Sequence, residues 1–157
     1  MGHTFASVHL HVIFSTKHRR PTIADSFRHR LWEYMHGLAR KEFGKALCIG
    51  GTADHIHGLI EVRPDVSISD AMRKWKALSS RWAHKTFPES RDFAWQTGYG
   101  VFSISGPRKA AVIEYIEGQA EHHRRVSFEE EFVAFLRRYE VEYDPKYLWE
   151  DGRVYGG

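Results

Sequence analysis

Cysteine is nearly absent from the chain. Only Cys48 carries a thiol among 157 residues, so no internal disulfide can form and a thiolate-built metal cluster is excluded. Long apolar runs are missing too, since none approaches the roughly 18 residues needed to cross a bilayer. The N-terminus lacks the basic-then-apolar order of a secretion signal, which makes the cytoplasm the expected compartment. Repeats, low-complexity stretches and interdomain linkers are also lacking. One domain over residues 1–157 is therefore expected, with a core at about 5–125 and a C-terminal helix and tail over 126–157. Aromatic residues are plentiful: at 14% of the chain, within a hydrophobic fraction of 42%, they exclude disorder for most of its length.

Net charge is small, at +3 with eleven histidines outside the sum, but its placement is uneven. Bases crowd Lys17-His18-Arg19-Arg20, the stretch from Arg73 to Lys85, Arg108-Lys109 and Arg124-Arg125, whereas acids gather at Glu129–Glu131 and near Glu140–Asp144. A basic front suits a polyanion. Charge alone fits solvated helix surface equally well.

Ser7–Ser15 reads as a β-strand, β-branched and followed by turn residues. Asp25 or Ser26 can cap a helix through Leu31, Met35 and Leu38 that ends near Phe43-Gly44. Leu47–Thr52 and His57–Val62 are short strands. After Pro64, Ser67 or Ser69 caps a helix through Met72, Trp75, Leu78 and Trp82. Gly100–Ser105 is a fourth strand, Gly106-Pro107 opens a third helix through Val112, Tyr115 and Ile116, and Phe128–Arg138 is a fourth, before an extended tail ending in glycine. The order βαββαβ followed by two helices predicts an α+β, ferredoxin-like fold: a four-stranded antiparallel sheet with helices on one face and two C-terminal helices added.

Chemistry concentrates at His55-Ile56-His57. On a strand, residues i and i+2 share a face, so the two imidazoles converge while Ile56 turns to the core. Such a pair can bind a divalent cation if other ligands join it, and Asp54 could cap the turn or orient a ring. Satisfied, half-buried histidines fit the same pattern, and His9-Leu10-His11 repeats the spacing where hydrogen-bonded outer-strand histidines are the simpler account. Tyr115 and Gln119, at i and i+4, share one helix face. If that face meets the sheet, Gln119 offers an oxygen to a metal and Tyr115 a hydroxyl to a polarised phosphoryl group. A core tyrosine with a wet hydroxyl fits the helix pattern too.

The block His55-Ile56-His57-Gly58-Leu59-Ile60-Glu61-Val62 resembles the His–hydrophobic–His motif of the single-tyrosine HUH transposases of bacterial insertion sequences. Phe14-Ser15-Thr16-Lys17-His18-Arg19-Arg20-Pro21 is similar to that family's N-terminal signature. Trp95–Ser103, Tyr115-Ile116-Glu117-Gly118-Gln119 and His122-His123-Arg124-Arg125 are similar to later blocks, in order over residues 5–150. The resemblance implies cleavage of single-stranded DNA at hairpin-flanked ends through a 5′-phosphotyrosine, followed by rejoining without ATP. It implies Tyr115 as nucleophile, His55, His57 and Gln119 as ligands of Mg²⁺ or Mn²⁺, and a homodimer in which the tyrosine helix can act in trans. Lys17, Arg19, Arg20, Lys74 and Lys76 are the candidate phosphate contacts, and Trp75, Trp82 and Phe102 would stack on bases if exposed. A nucleoid-associated protein of the cytoplasm is expected. The tail around Tyr143, Tyr147 and Trp149 resembles the REP-associated branch of domesticated relatives. A non-catalytic hairpin binder and a phosphodiesterase in which water attacks are the alternatives. Gly118 stands where relatives often carry Asn and loosens the helix by up to about 1 kcal/mol. Gly58 is expected to open room beside the metal.

Overall fold

Alternation along β1 (His9–Ser15) sends Leu10, Val12 and Phe14 to one face and His9, His11 and Ile13 to the other. All seven residues are buried, so the sheet is covered on both sides. The computed structural model describes residues 2–149, and the glycine-ended part of the expected tail lies outside them. β1 is central, flanked by β3 (His55–Val62) and β4 (Gly100–Ile104), with β2 (Gly44–Gly51) beyond β3; every pairing is antiparallel. The predicted ferredoxin-like plan is the observed one. β1 is not an outer strand, however, so His9 and His11 stand mid-sheet rather than at an edge.

Helices α1 (Asp25–Glu42) and α2 (Ile68–Thr86) cover the first face. Phe27, Leu31, Met35 and Leu38 of α1 recur at helical spacing and meet Met72 and Trp75 of α2 over Val12, Phe14, Ile56 and Ile60. Trp75 donates its indole N–H to the Met35 carbonyl at 2.9 Å. Ser67 caps α2 as expected, its Oγ accepting from Asp70 N at 3.1 Å. The N-cap of α1 is Ala24 instead, and Asp25 works one position later, paired with Arg28 at 2.9 Å in the first turn.

The second face is covered by α3 (Lys109–Glu117), α4 (Gln119–His122) and α5 (Phe128–Arg138). Val112 and Ile116 of α3 pack on Cys48 and Leu59, while Phe128, Phe132 and Leu136 of α5 pack on Ile13 and Phe102. A Cβ at Gly50 would lie 2.5 Å from the Ile116 carbonyl, so glycine there sets how closely α3 approaches β2. The third helix, expected to carry Tyr115 and Gln119 on one continuous face, is broken: Gly118, at φ −88° and ψ 11°, divides α3 from α4. β3 begins at His55, two residues before the predicted start, because His55 pairs with Ser15 across the ladder. Gly58 does not open space at the histidines. It faces the opposite side, where a Cβ would meet the Trp75 ring at 2.9 Å, so its role is to admit that indole.

Candidate active site

His55 and His57 point to the face covered by α3–α5 and are fully buried. Ile13 stands directly opposite His57 in the ladder, which makes His11 a diagonal neighbour on the same face; His11 Nε2 and His57 Nδ1 are 2.8 Å apart. The Nδ1 of His55 lies 2.8 Å from Asp54 Oδ1 and 3.0 Å from Thr52 Oγ1. Both rings are thus held from behind, and their Nε2 atoms face the helices.

Opposite them stands a carboxylate. Glu131 of α5 is only 3% exposed, and its Oε1 lies 2.8 Å from His57 Nε2, 3.1 Å from His123 Nε2 and 3.9 Å from His55 Nε2. Its Oε2 accepts from the Tyr115 hydroxyl, and lies 3.2 Å from His122 Nε2 and 3.3 Å from Gln119 Nε2. Gln119, 1% exposed, places Oε1 2.9 Å from His55 Nε2. The Tyr115 ring lies 5.7 Å from that of His57 in the same chain. The break at Gly118 therefore leaves Gln119 firmly held. Tyr115, Gln119, His55 and His57, singled out in the sequence, meet around one carboxylate that was not.

Burial pulls the His11 imidazole down to about 3, with the neighbouring His57 charge adding to the effect. Burial also lowers His57 to about 4, against the opposing pull of Glu131. The Glu131 carboxyl is pushed up by burial but pulled further down by hydrogen bonds from His123 and His57, and ends well below the usual carboxylate range. Burial lowers His123, yet its bond to Glu131 and the carboxylate charge outweigh this and leave it raised. Tyr115 is raised by burial and then by Glu131, so its hydroxyl stays protonated and needs an acceptor, which Glu131 Oε2 provides.

One ligand atom each from His55, His57, His123 and Glu131 lies within 4.8 Å of the others. Three imidazole nitrogens with a carboxylate and the Gln119 amide oxygen suit a divalent cation. Asp54 behind His55 and His11 behind His57 orient the rings as outer partners of metal-bound histidines do. With His57 Nε2–H donating to Glu131, His57 Nδ1 accepts from His11; were His57 to hold a cation through its other nitrogen, Nδ1 would carry the proton and donate to His11 instead.

The predicted phosphate contacts fall in two places. Lys17 and Arg20 are exposed on the turn after β1, whose Thr16 N donates to the Asp54 carbonyl at 2.8 Å, so they adjoin the site. Arg19 of that turn is instead held within the protein, 2.7 Å from Glu129 and 4.6 Å from the centre of the Trp149 ring. Lys74 and Lys76 lie on α2, across the sheet from the histidines, and Lys76 donates to the Gly98 carbonyl at 2.8 Å. Trp75 and Phe102 are core residues, and Trp82 stacks on Tyr34 at 4.1 Å.

This fold, with strand histidines and a helix tyrosine at one centre, defines the class of single-tyrosine HUH transposases, which are DNA strand transferases and endonucleases. A family model described as "Transposase IS200 like" matches residues 4–119, and the chain belongs to that family. It is 28% identical over 130 residues to the transposase for insertion sequence element IS200 of Salmonella typhimurium, across 79% of this chain and 84% of that protein. To the ISDra2 transposase TnpA of Deinococcus radiodurans it is 22% identical over 114 residues, covering 69% and 81%. Two solved structures share the fold. One is a REP-associated tyrosine transposase bound to a REP hairpin, with a TM-score of 0.58 and 13% identity over 92% of this chain and 93% of that one. The other is assigned as a transposase of Deinococcus radiodurans R1, with a TM-score of 0.56 and 23% identity over 76% and 96%. Among the described residues no helix is long and apolar enough to cross a membrane.

Proposed function

We propose that this protein cuts single-stranded DNA at hairpin-flanked ends by attack of Tyr115, forming a 5′-phosphotyrosine, and then rejoins strands. The observation that carries the reading is the meeting of the Tyr115 hydroxyl, the His55 and His57 imidazoles and the Gln119 amide around Glu131. His55, His57 and Gln119 would hold Mg²⁺ or Mn²⁺, with Glu131 and His123 close enough to contribute. A bound cation would neutralise charge on the scissile phosphate and fix its position. Tyr115 Oη forms the new bond to phosphorus as the bond to the 3′-oxygen breaks, and the phenol's proton, relayed by Glu131 Oε2 without being kept there, ends on the departing oxygen as a 3′-hydroxyl. Rejoining is the reverse attack by a 3′-hydroxyl on the phosphotyrosine, so the bond energy is kept and no nucleotide cofactor is consumed.

The ring of Tyr115 beside its own chain's His57 supports action in cis. A homodimer would then organise two DNA ends rather than complete each site. The reading takes residues 1–157 as one transposase unit in the cytoplasm, at the nucleoid, with α5 closing the site formed by the core. Lys17 and Arg20 are the phosphate contacts best placed to guide a strand to it.

The test uses single-stranded hairpin oligonucleotides from the flanks of the gene, with Mn²⁺ and denaturing gels. Wild type should form a protein–DNA adduct that Tyr115→Phe does not. Cleavage retained in Tyr115→Phe would replace the transferase with a hydrolase, and hairpin binding without cleavage would leave a domesticated binder.

A further inference from the structure

Next to the tyrosine, β4, α3 and α5 enclose a cavity of about 550 Å³. Tyr115 lines it, whereas His55, His57, Gln119 and His123 do not. Arg108, just before α3, and Arg138, at the end of α5, also line it; both are exposed, and neither has an ion-pair partner among the described residues. The wall between them is aromatic: Phe135 and Tyr139 are half-buried, with rings 8° from parallel and centres 6.3 Å apart. The Ser103 hydroxyl adds a small polar group on β4.

We propose that this cavity is a nucleotide subsite: it takes the single unstacked nucleotide that stays joined to Tyr115 through its 5′-phosphate, with Arg108 and Arg138 on the phosphates and Phe135 and Tyr139 against the base. Size and chemistry select this occupant. The volume lies within the range of pockets that enclose small organic ligands, roughly 300–1,000 Å³, which inorganic phosphate alone would leave largely empty. Two unpaired guanidinium groups disfavour a purely apolar ligand and match phosphate oxygens. Flat aromatic faces bind any base by stacking, which suits a strand freed from its duplex. Position decides which nucleotide it is. In-line displacement puts the departing 3′-oxygen across the phosphorus from Tyr115 Oη, so a cavity on the tyrosine's own side belongs to the nucleotide that is retained.

The inference rests on the proposed transferase reading for the identity of the nucleotide, and its test needs no chemistry. The probe is 5′-phosphorylated tetrathymidylate with a 3′ fluorophore, followed by anisotropy against wild type, Tyr115→Phe and the double variant Arg108→Ala/Arg138→Ala. Wild type and Tyr115→Phe should prefer the phosphorylated probe to its unphosphorylated form by at least about tenfold at low salt, a preference that falls as salt is raised. The double variant should lose it while its circular dichroism stays that of wild type. Removing the first base, to leave an abasic sugar, should cost about tenfold or more, the size of one lost stacking contact. Equal binding of both probes, or a preference that survives in the double variant, overturns the subsite. Adduct formation from hairpins with no such preference would reject the subsite alone. The preference without any adduct would reject the transferase reading alone.

Discussion

Replacing Glu131 by glutamine keeps the volume of the side chain and removes its charge. Among the described residues Glu131 is the one acid in the buried set, and its two oxygens have five polar side chains within 3.3 Å, with His55 further off at 3.9 Å. A glutamine accepts at one oxygen only, and its amide N–H groups would confront either Tyr115, Gln119 and His122 or the imidazoles of His57 and His123. At least two bonds to an ionised acceptor are lost, each worth about 1.5–3 kcal/mol. Tyr115 and His122 are partly exposed and recover some of this from water, so a loss of about 2–4 kcal/mol is expected, large against a typical stability of about 5–15 kcal/mol. The pH dependence follows from the two shifts. The folded carboxyl is held below its ordinary value of 4.5, so its contribution is present above that value and fades as pH falls. His123 is raised above 6.5, so its share is present below that value and fades as pH climbs through the raised range. Urea unfolding in EDTA, followed by circular dichroism, should therefore show the widest gap between wild type and Glu131→Gln at about pH 5–6.5, narrowing on both sides. A gap that does not change with pH, or one below about 0.5 kcal/mol at pH 6, would refute the reasoning, being no more than an ordinary surface substitution produces.

Three further outcomes are expected. His11→Phe preserves bulk but strips His57 Nδ1 of its partner, so the Mn²⁺ needed for half-maximal cleavage should rise about 10–100-fold while hairpin binding holds. Gly50→Ala drives a methyl into the Ile116 carbonyl and lifts α3 from β2; melting should report a loss of about 1–3 kcal/mol, with slower adduct formation because α3 carries Tyr115. Protons compete with the cation at His123, whose pKa is raised above 6.5, so the Mn²⁺ requirement should increase as pH is lowered from 8 to 6, and His123→Ala should flatten that slope.

Much of this arrangement is legible in the residues. The His-X-His spacing fixes that both imidazoles share a sheet face, and the i, i+4 relation of Tyr115 and Gln119 puts both on one helix face. His123 continues that series at i+8, a signal left unused because the helix face was followed no further than Gln119. Glu131 carries a signal as well. On α5 it falls between Phe128 and Phe132 on the apolar stripe, while Glu130 beside it is exposed. A lone acid on the buried face of an amphipathic helix marks a partner inside the protein, whereas a triplet of glutamates read as a charge run conceals it. The role of Arg19 was not legible, because its partners Glu129 and Trp149 lie more than a hundred residues away along the chain. Nor was the purpose of Gly58, since the strand pattern shows which face it occupies but not that the Trp75 ring presses against it.

The central claim is that Tyr115 forms the covalent bond to DNA. The most direct measurement is mass spectrometry of the adduct after nuclease and trypsin digestion, in which cleavage after Lys109 and Arg124 isolates the peptide spanning residues 110–124. The account predicts a nucleotide remnant on that peptide, with fragmentation placing it on Tyr115. A remnant on Tyr99, Tyr139 or another residue, or strand cleavage that leaves every peptide unmodified, would contradict it.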